Sequence, residues 1–255
     1  MDRDGHSLLT LLRTPPPPSR SKGERATRRA KQIVAFGRSI VLDWPRDTRG
    51  RFMRFRAARR LTAFAGPRRL CLGSGHAPIP GWINIDYEPP ADVLLDLRYG
   101  IPVPEGSIDT IYSEHLVEHL SLDAASALFR ECRRILKPGG VLRIATPDLE
   151  DLVTEYRRDW RSRHDWINWP EYGYIDTPVR MVNVAMREWG HRYLYDFTEL
   201  ALRLGEAGFE RVDRAELGTS AFPELGGLET RADSRLIIEA RSVAPLEVDD
   251  DLEAT

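Results

Sequence analysis

Two strand-like runs, RLCL (Arg69–Leu72) and INID (Ile83–Asp86), are separated by only ten residues, Gly73 to Trp82. Two of the ten are prolines, Pro78 and Pro80, and the segment opens on Gly73-Ser74-Gly75. Adjacent parallel strands need a crossover, normally of about a dozen residues and normally helical. Proline removes an amide donor and clashes with the preceding turn, so this segment holds no such helix. The chain must cross between its first two strands by a bare loop. The face that the helix would have covered must then be covered from elsewhere, and the nearest source is the basic helical stretch predicted within residues 24–65.

Beyond this point strand-like and helix-like segments alternate. ADVLLDL (Ala91–Leu97), SIDTIYSEH (Ser107–His115), VLRIAT (Val141–Thr146), FERVDRAEL (Phe209–Leu217) and SRLIIEA (Ser234–Ala240) read as strands. A helix is predicted over about Leu122–Leu136, stopped by the KPGG that follows Leu136. Pro147 and Asp148 open another, and FTELALRLGEAGF (Phe197–Phe209) reads as an amphipathic helix capped by Asp196 or Thr198 and stopped at Gly208. Such alternation implies a largely parallel α/β sheet with helices on both faces. Ligands of such sheets sit beyond the carboxyl ends of the strands.

Charge divides the chain. Residues 1–69 hold 18 Lys+Arg against 5 Asp+Glu, and the remainder holds 19 against 34. Residues 1–22, with the polyproline tract Thr14–Arg20, read as a tail outside the core, 23–66 as a basic helical extension, 67–243 as the folded domain and 244–255 as an acidic tail. In 50–65, Phe52, Phe55, Leu61 and Phe64 interleave with arginines. That pattern suits a helix packed on the domain with its arginines in solvent, or one lying on anionic lipid or nucleic acid; the packed helix is the reading preferred here. No run nears the length of a membrane span, and Leu8–Leu12 is too short for a signal peptide. Cys71 and Cys132 lie within apolar strand-like and helical runs. They give neither a disulfide framework nor a metal spacing, and they point to a reducing cytoplasm, with residues 24–65 as the place for any peripheral membrane contact. No metal ligand set is read from the sequence.

Gly73 and Gly75 would let backbone approach a ligand. The dinucleotide fingerprint wants a third glycine where Pro78 stands, and an acidic residue about twenty positions on, whereas Asp86 comes 13 after Gly73. A phosphate loop would need GK[ST]. An NAD(P)-dependent oxidoreductase is therefore disfavoured.

The series from Leu70 to Asp148 resembles the class I S-adenosylmethionine-dependent methyltransferases of the methyltransferase type 11 kind. Within them it is similar to a branch with PGW-x-N-x-D, SEHxxEH, LKPGG and WGHxxxYD motifs. Here these are PGWINID (Pro80–Asp86), SEHLVEH (Ser113–His119), LKPGG (Leu136–Gly140) and EWGHRYLYD (Glu188–Asp196). The resemblance spans roughly residues 68–242 and implies a Rossmann-like seven-strand sheet, with a short loop in place of the first helix and S-adenosyl-L-methionine as cofactor. It implies that Gly73, Ser74 and Gly75 meet the amino acid head, that Asp86 accepts from the ribose hydroxyls and that Tyr87 flanks the adenine. Asp96 and the Leu97 amide would bond the adenine edge, and Glu114 and His115 would lie near the cofactor head and methyl group. Each has a plainer alternative: a turn cap for Asp86, a solvated strand end for Asp96, helix packing for His115 and His119.

The acceptor is read by elimination. SEH stands where amino-methylating nucleic-acid enzymes carry Asn/Asp-Pro-Pro-aromatic, and where cytosine-ring enzymes carry Pro-Cys. A nucleic-acid acceptor is therefore disfavoured, and an oxygen on a small molecule or saccharide is expected. His191 and His115 are the candidate catalytic residues, with the plainer alternative for His191 of holding the lid. The lid and acceptor segment is placed at about 157–195. There Trp160, Trp166, Trp169, Tyr172 and Tyr174 either stack on a ring or close a subsidiary core, and Arg187 and Arg192 could meet an anion. The rival of another class is a non-catalytic methyltransferase-fold module, recruited to membrane or nucleic acid by its basic arm.

Overall fold

The ten residues between the first two strands do form a loop without a helix, and both strands are parallel neighbours in one sheet. In the computed structural model, residues 43–63, 68–158, 160–162 and 165–242 are described. From Thr48 onward they belong to one compact unit. The elements in chain order are α1 (Asp43–Leu61), β1 (Arg69–Leu72), β2 (Ile83–Asp86), β3 (Val93–Leu94), β4 (Ile108–Glu114), α2 (Leu122–Ile135) and β5 (Leu136–Thr146). They continue with α3 (Leu149–Tyr156), α4 (Pro178–Arg187), α5 (Phe197–Glu206), β6 (Arg211–Arg214) and β7 (Leu236–Arg241). The predicted tails 1–22 and 244–255 and the predicted helix 24–42 lie outside the described residues.

The sheet has seven strands in the order β3-β2-β1-β4-β5-β7-β6. All neighbours pair in parallel except β7, which runs antiparallel between β5 and β6. The strand order reverses between β1 and β4. The crevice beyond their carboxyl ends is the topological switch point, where ligands of open α/β sheets bind. Gly73-Ser74-Gly75 leaves one strand there and Glu114-His115 leaves the other.

Local chemistry accounts for the element ends. Ser121 caps α2, Asp148 caps α3 and Asp196 caps α5, each accepting a backbone amide of the first turn. Gly208 follows α5 at φ +93°, where a glycine is favoured.

Strand alternation sorts the core. Leu70, Leu72, Ile83, Ile85, Ile111, Leu142, Ile144, Ile238 and Ala240 face one layer, with Leu128, Phe129 and Cys132 of α2 and Leu200 and Leu204 of α5. Ala57 and Leu61 of α1 join this same layer. Gly50 brings α1 close to the 3₁₀ turn Leu97–Tyr99, because a Cβ there would fall within 2.6 Å of two Tyr99 ring carbons. The opposite face carries Cys71, Tyr112 and Val141, packed on Trp82 and Leu225, with Ile79, Phe222 and Leu228 at the margin.

Over α1 this corrects the expectation that the basic stretch 24–65 covers the bare face. Right-handed crossovers from β1 to β2 and from β4 to β5 move in opposite directions along the sheet, so they lie on opposite faces. The helix missing after β1 would have lain against Cys71 and Tyr112. That face is covered by Ile79 and Trp82 of the loop itself and by the β6–β7 excursion, whereas α1 lies beside α2 on the other face.

The excursion is fastened by a buried ion cluster. Arg143 of β5 is fully buried; its Nε donates to Glu229 at 2.6 Å and one terminal nitrogen donates to Glu239 at 2.7 Å. It also donates to the carbonyls of Thr219 and Glu216. Phe52 and Phe55 of α1 are 60% and 62% exposed, while Met53, Ala57 and Leu61 are buried. Over these residues the preferred reading, a helix packed on the domain, holds; Phe64 lies outside the described residues. No helix among the described residues is long and apolar enough to cross a membrane.

Candidate active site

The glycine loop owes its shape to backbone that side chains resist. Gly73 has φ +71° and Gly75 φ +52°. A Cβ on Gly73 would meet Cβ and Cδ1 of Leu116 at 3.0 Å, so the loop and the turn after β4 touch. Around Gly75 a Cβ would meet nothing within 4 Å, which leaves open space at the crevice. Gly73→Ala is expected to cost about 1–2 kcal/mol from the left-handed conformation alone and to displace Leu116. A lowered melting temperature together with weakened S-adenosylhomocysteine binding would check this.

The amides of this loop are already used. Gly73 and Ser74 both donate to the Ile85 carbonyl, and Gly75 donates to Asp86 Oδ2 at 2.8 Å. The expectation that these amides bond an amino acid head therefore changes. The loop offers the Gly73 and Gly75 carbonyls, acceptors suited to an ammonium group. Asp86 Oδ1 accepts from the Glu88 amide at 3.0 Å, so each carboxylate oxygen makes one bond and keeps one lone pair. Two acceptor sites side by side match a vicinal diol.

Tyr87 is partly exposed beside this carboxylate, with the Arg49 guanidinium 5.0 Å from its ring centre. Asp96 is buried rather than solvated; it caps the turn Leu97–Tyr99 and holds Arg98 through both oxygens. The Leu97 amide has no acceptor among the described residues, which leaves a donor at the place expected for an adenine nitrogen. Glu114 is committed elsewhere. Its carboxylate accepts from the Thr230 amide and hydroxyl, the Arg231 amide and the Ser234 hydroxyl, and so ties the β6–β7 excursion to the end of β4.

Residues 87–144 match the family model described as Methyltransferase domain. The sheet order and this match give the chain the fold of the class I S-adenosylmethionine-dependent methyltransferases. The chain is 31% identical over 115 residues to "Phosphoethanolamine N-methyltransferase" of Plasmodium falciparum, a match covering 40% of this chain and 43% of that protein. It is 38% identical over 58 residues to a "Probable S-adenosylmethionine-dependent methyltransferase" of Mycolicibacterium smegmatis, covering 21% and 22%. The chain thus spans less than half the length of these curated relatives. Among solved structures, a SAM-dependent methyltransferase from Archaeoglobus fulgidus aligns at TM-score 0.42 and 17% identity, over 75% of this chain and 93% of that one. The family's cofactor is S-adenosyl-L-methionine. The residues present fit it: open space at Gly75, free carbonyls, unfilled acceptor positions on Asp86 and an unpaired Leu97 amide.

Beyond the turn after β4 lies a cavity of about 740 Å³, of the size usual for small-molecule sites. His115, His119 and His191 line it, as do Trp166, Trp169, Trp189 and Asp233. His115 reaches its place through a left-handed backbone, φ +49°, and Trp189 does so at φ +58° beside His191. Two chain segments distant in sequence are stitched here, because the Arg192 and Tyr193 amides both donate to the Glu118 carbonyl.

Glu118 is fully buried at the centre. Its Oε2 accepts from the Thr146 hydroxyl at 3.0 Å, and its Oε1 lies 2.9 Å from His115 Nδ1 and 4.0 Å from His191 Nε2. Burial pushes the Glu118 carboxyl up, but the His115 hydrogen bond and charge outweigh it and hold the group below its usual range. Burial lowers the His119 and His191 imidazoles and favours their neutral forms. His191 Nδ1 lies 2.7 Å from the Ala185 carbonyl, so Nδ1 carries the proton and Nε2 faces the cavity with a lone pair.

The sequence motifs contain Glu118 and His119, yet the sequence gives Glu118 no role and leaves His119 between a site residue and a packed one. The convergence of His191 on them could not be seen without the fold. Both readings of the aromatic segment have a share. Trp166 and Tyr172 are buried with Ile167, Ile175, Met181 and Val184, while Trp169 is half-exposed and faces the cavity. Burial pushes the Cys71 thiol up to about 12, so it is a core thiol with no nucleophilic form near neutrality.

Proposed function

We propose that this protein transfers the methyl group of S-adenosylmethionine to an oxygen of a small-molecule or saccharide acceptor held in the cavity beyond β4. The observation that carries the reading is placement. A cavity rich in imidazole and indole is lined by His115, and the next residue, Leu116, packs against Gly73 of the glycine loop. Held by the Gly73–Gly75 loop, Asp86 and the Leu97 amide, S-adenosylmethionine would supply a sulfonium-activated methyl carbon and would leave as the neutral thioether. The chain positions the acceptor and removes its proton.

His115 is placed for the proton. Glu118 beside Nδ1 fixes the ring, as a buried carboxylate does for a catalytic imidazole. That leaves Nε2 without a hydrogen-bond partner, 3.9 Å from Asp233. His191 faces the same carboxylate from the lid side and orients the acceptor. Trp169 and Trp189 provide half-exposed indole for an acceptor ring. A nitrogen acceptor is the second reading. Indole faces also attract cations, and the Plasmodium relative is named for an amine.

The test is methyl transfer followed by mass spectrometry across hydroxylated small molecules, saccharides and amines. Transfer to an oxygen supports the first reading, and transfer to amines alone supports the second. No transfer at all, with cofactor bound, would favour a non-catalytic module. His115→Gln is expected to lower kcat by about 10²–10⁴-fold while S-adenosylhomocysteine affinity stays unchanged. An unchanged kcat would remove the base from His115.

A further inference from the structure

Three side chains converge in the cavity. The ligand atoms of Glu118, His119 and His191 all lie within 4.8 Å of one another. Glu118 Oε1 is buried with His115 Nδ1 at 2.9 Å as its polar neighbour, and Nε2 of that histidine is buried without a partner. The ring of His119 stands 4.9 Å from that of His191 at 72°.

The surroundings look like those of a ligand set. His191 donates through Nδ1 to the Ala185 carbonyl, and His119 Nδ1 faces Gly190, whose added Cβ would lie 3.7 Å away. Metal-binding imidazoles characteristically give their second nitrogen to a backbone carbonyl or carboxylate, which fixes ring and tautomer. Glu118 is held in the same way, through Oε2 by Thr146. The string His115-Leu116-Val117-Glu118-His119 has the spacing of an H-x-x-E-H zinc motif, but that motif binds through both histidines on one α-helix, and His115 is outside the cluster here. Here a sharp turn and a short 3₁₀ segment, Val117–His119, replace that helix, and the partner comes from the lid instead.

We propose that Glu118, His119 and His191 bind a first-row divalent cation, with Zn²⁺ and Mn²⁺ as the fitting probes and Mg²⁺ excluded by the imidazole ligands. Ligands about 2.1 Å from a tetrahedral Zn²⁺ lie about 3.4 Å apart. The present separations close to that when each side chain moves by about 0.7 Å. Three protein ligands leave at least one position open toward the cavity, as catalytic sites of this composition do. Resting on the oxygen-acceptor reading, the open position takes an acceptor hydroxyl and orients it beside the glycine loop.

The test uses the full chain, free of any tag and stripped by chelator, titrated with Zn²⁺, Mn²⁺ and Mg²⁺ by calorimetry. One equivalent of Zn²⁺ or Mn²⁺ is expected, uncontested by Mg²⁺. His119→Ala and His191→Ala are expected to weaken it by at least about 100-fold. His119→Gln and His191→Gln serve where an alanine variant fails to fold, and unchanged S-adenosylhomocysteine affinity reports that the domain is intact. Absence of stoichiometric binding by the wild type, or equal affinity in the histidine variants, would overturn the site. Because metal titration needs neither cofactor nor acceptor, its failure is distinct from failure of the methyltransferase reading.

Discussion

Arg143→Met is expected to destabilise the domain by about 3–5 kcal/mol, the usual cost of removing one partner from a buried ionic group. The Arg143 side chain is fully buried, and Glu229 and Glu239 beside it are 0% and 5% exposed. Methionine would fill much of the space but leave two carboxylates facing apolar surroundings. Glu239 would keep the Ser220 hydroxyl, and Glu229 the Gly218 amide, which is too little to compensate two charges. Urea unfolding measures the loss. The combined variant Arg143→Met, Glu229→Gln, Glu239→Gln should recover a substantial part of it, since no uncompensated charge remains. Wild-type stability in the single variant would show that the β6–β7 excursion is held by its apolar contacts alone. The excursion also carries Thr230, Arg231 and Asp233 to the cavity, so the loss should extend to ligand binding.

The second large effect is expected at Asp86. Asp86→Ala removes both acceptors proposed for the ribose hydroxyls, and hydrogen bonds to a charged group contribute about 1.5–3 kcal/mol each. S-adenosylhomocysteine affinity should fall by at least about 100-fold. The folded state should lose only about 1 kcal/mol, from the freed Gly75 and Glu88 amides. Asp86→Asn keeps one acceptor oxygen and should fall between. Equal affinity in wild type and Asp86→Ala would remove Asp86 from the cofactor site.

The architecture was legible in the sequence because local and global signals agreed. Each predicted strand from Leu70 to Ala240 has its place in the sheet, and the prolines at 78 and 80 correctly ruled out the first helix. What covers the bare face was not legible. Phe222, Leu225 and Leu228 sit in a glycine-rich, polar stretch without helical or strand periodicity, and nothing in VLRIAT says that Arg143 is buried. Their burial depends on a pairing across nearly ninety residues, Arg143 with Glu229. The basic α1 has the apolar spacing of a packed helix, but spacing does not say which face of the sheet it meets.

The cofactor end was more legible than the acceptor end for a similar reason. Gly73, Gly75 and Asp86 lie within fourteen residues and on adjacent strands, so sequence order nearly gives their geometry. Glu118, His119 and His191 come from segments seventy residues apart. They meet only because Trp189 and His115 adopt left-handed backbone that no propensity would suggest. Glu114 shows the reverse: it stands beside the expected cofactor head, yet its carboxylate is spent on the Thr230–Ser234 loop.

The most direct measurement of the central claim is calorimetric titration of the full chain with S-adenosylhomocysteine and, separately, with NAD and NADP. One equivalent of S-adenosylhomocysteine should bind and neither dinucleotide should, because Pro78 stands in place of the third glycine and the loop amides are already engaged. Binding of a dinucleotide without S-adenosylhomocysteine would contradict the account.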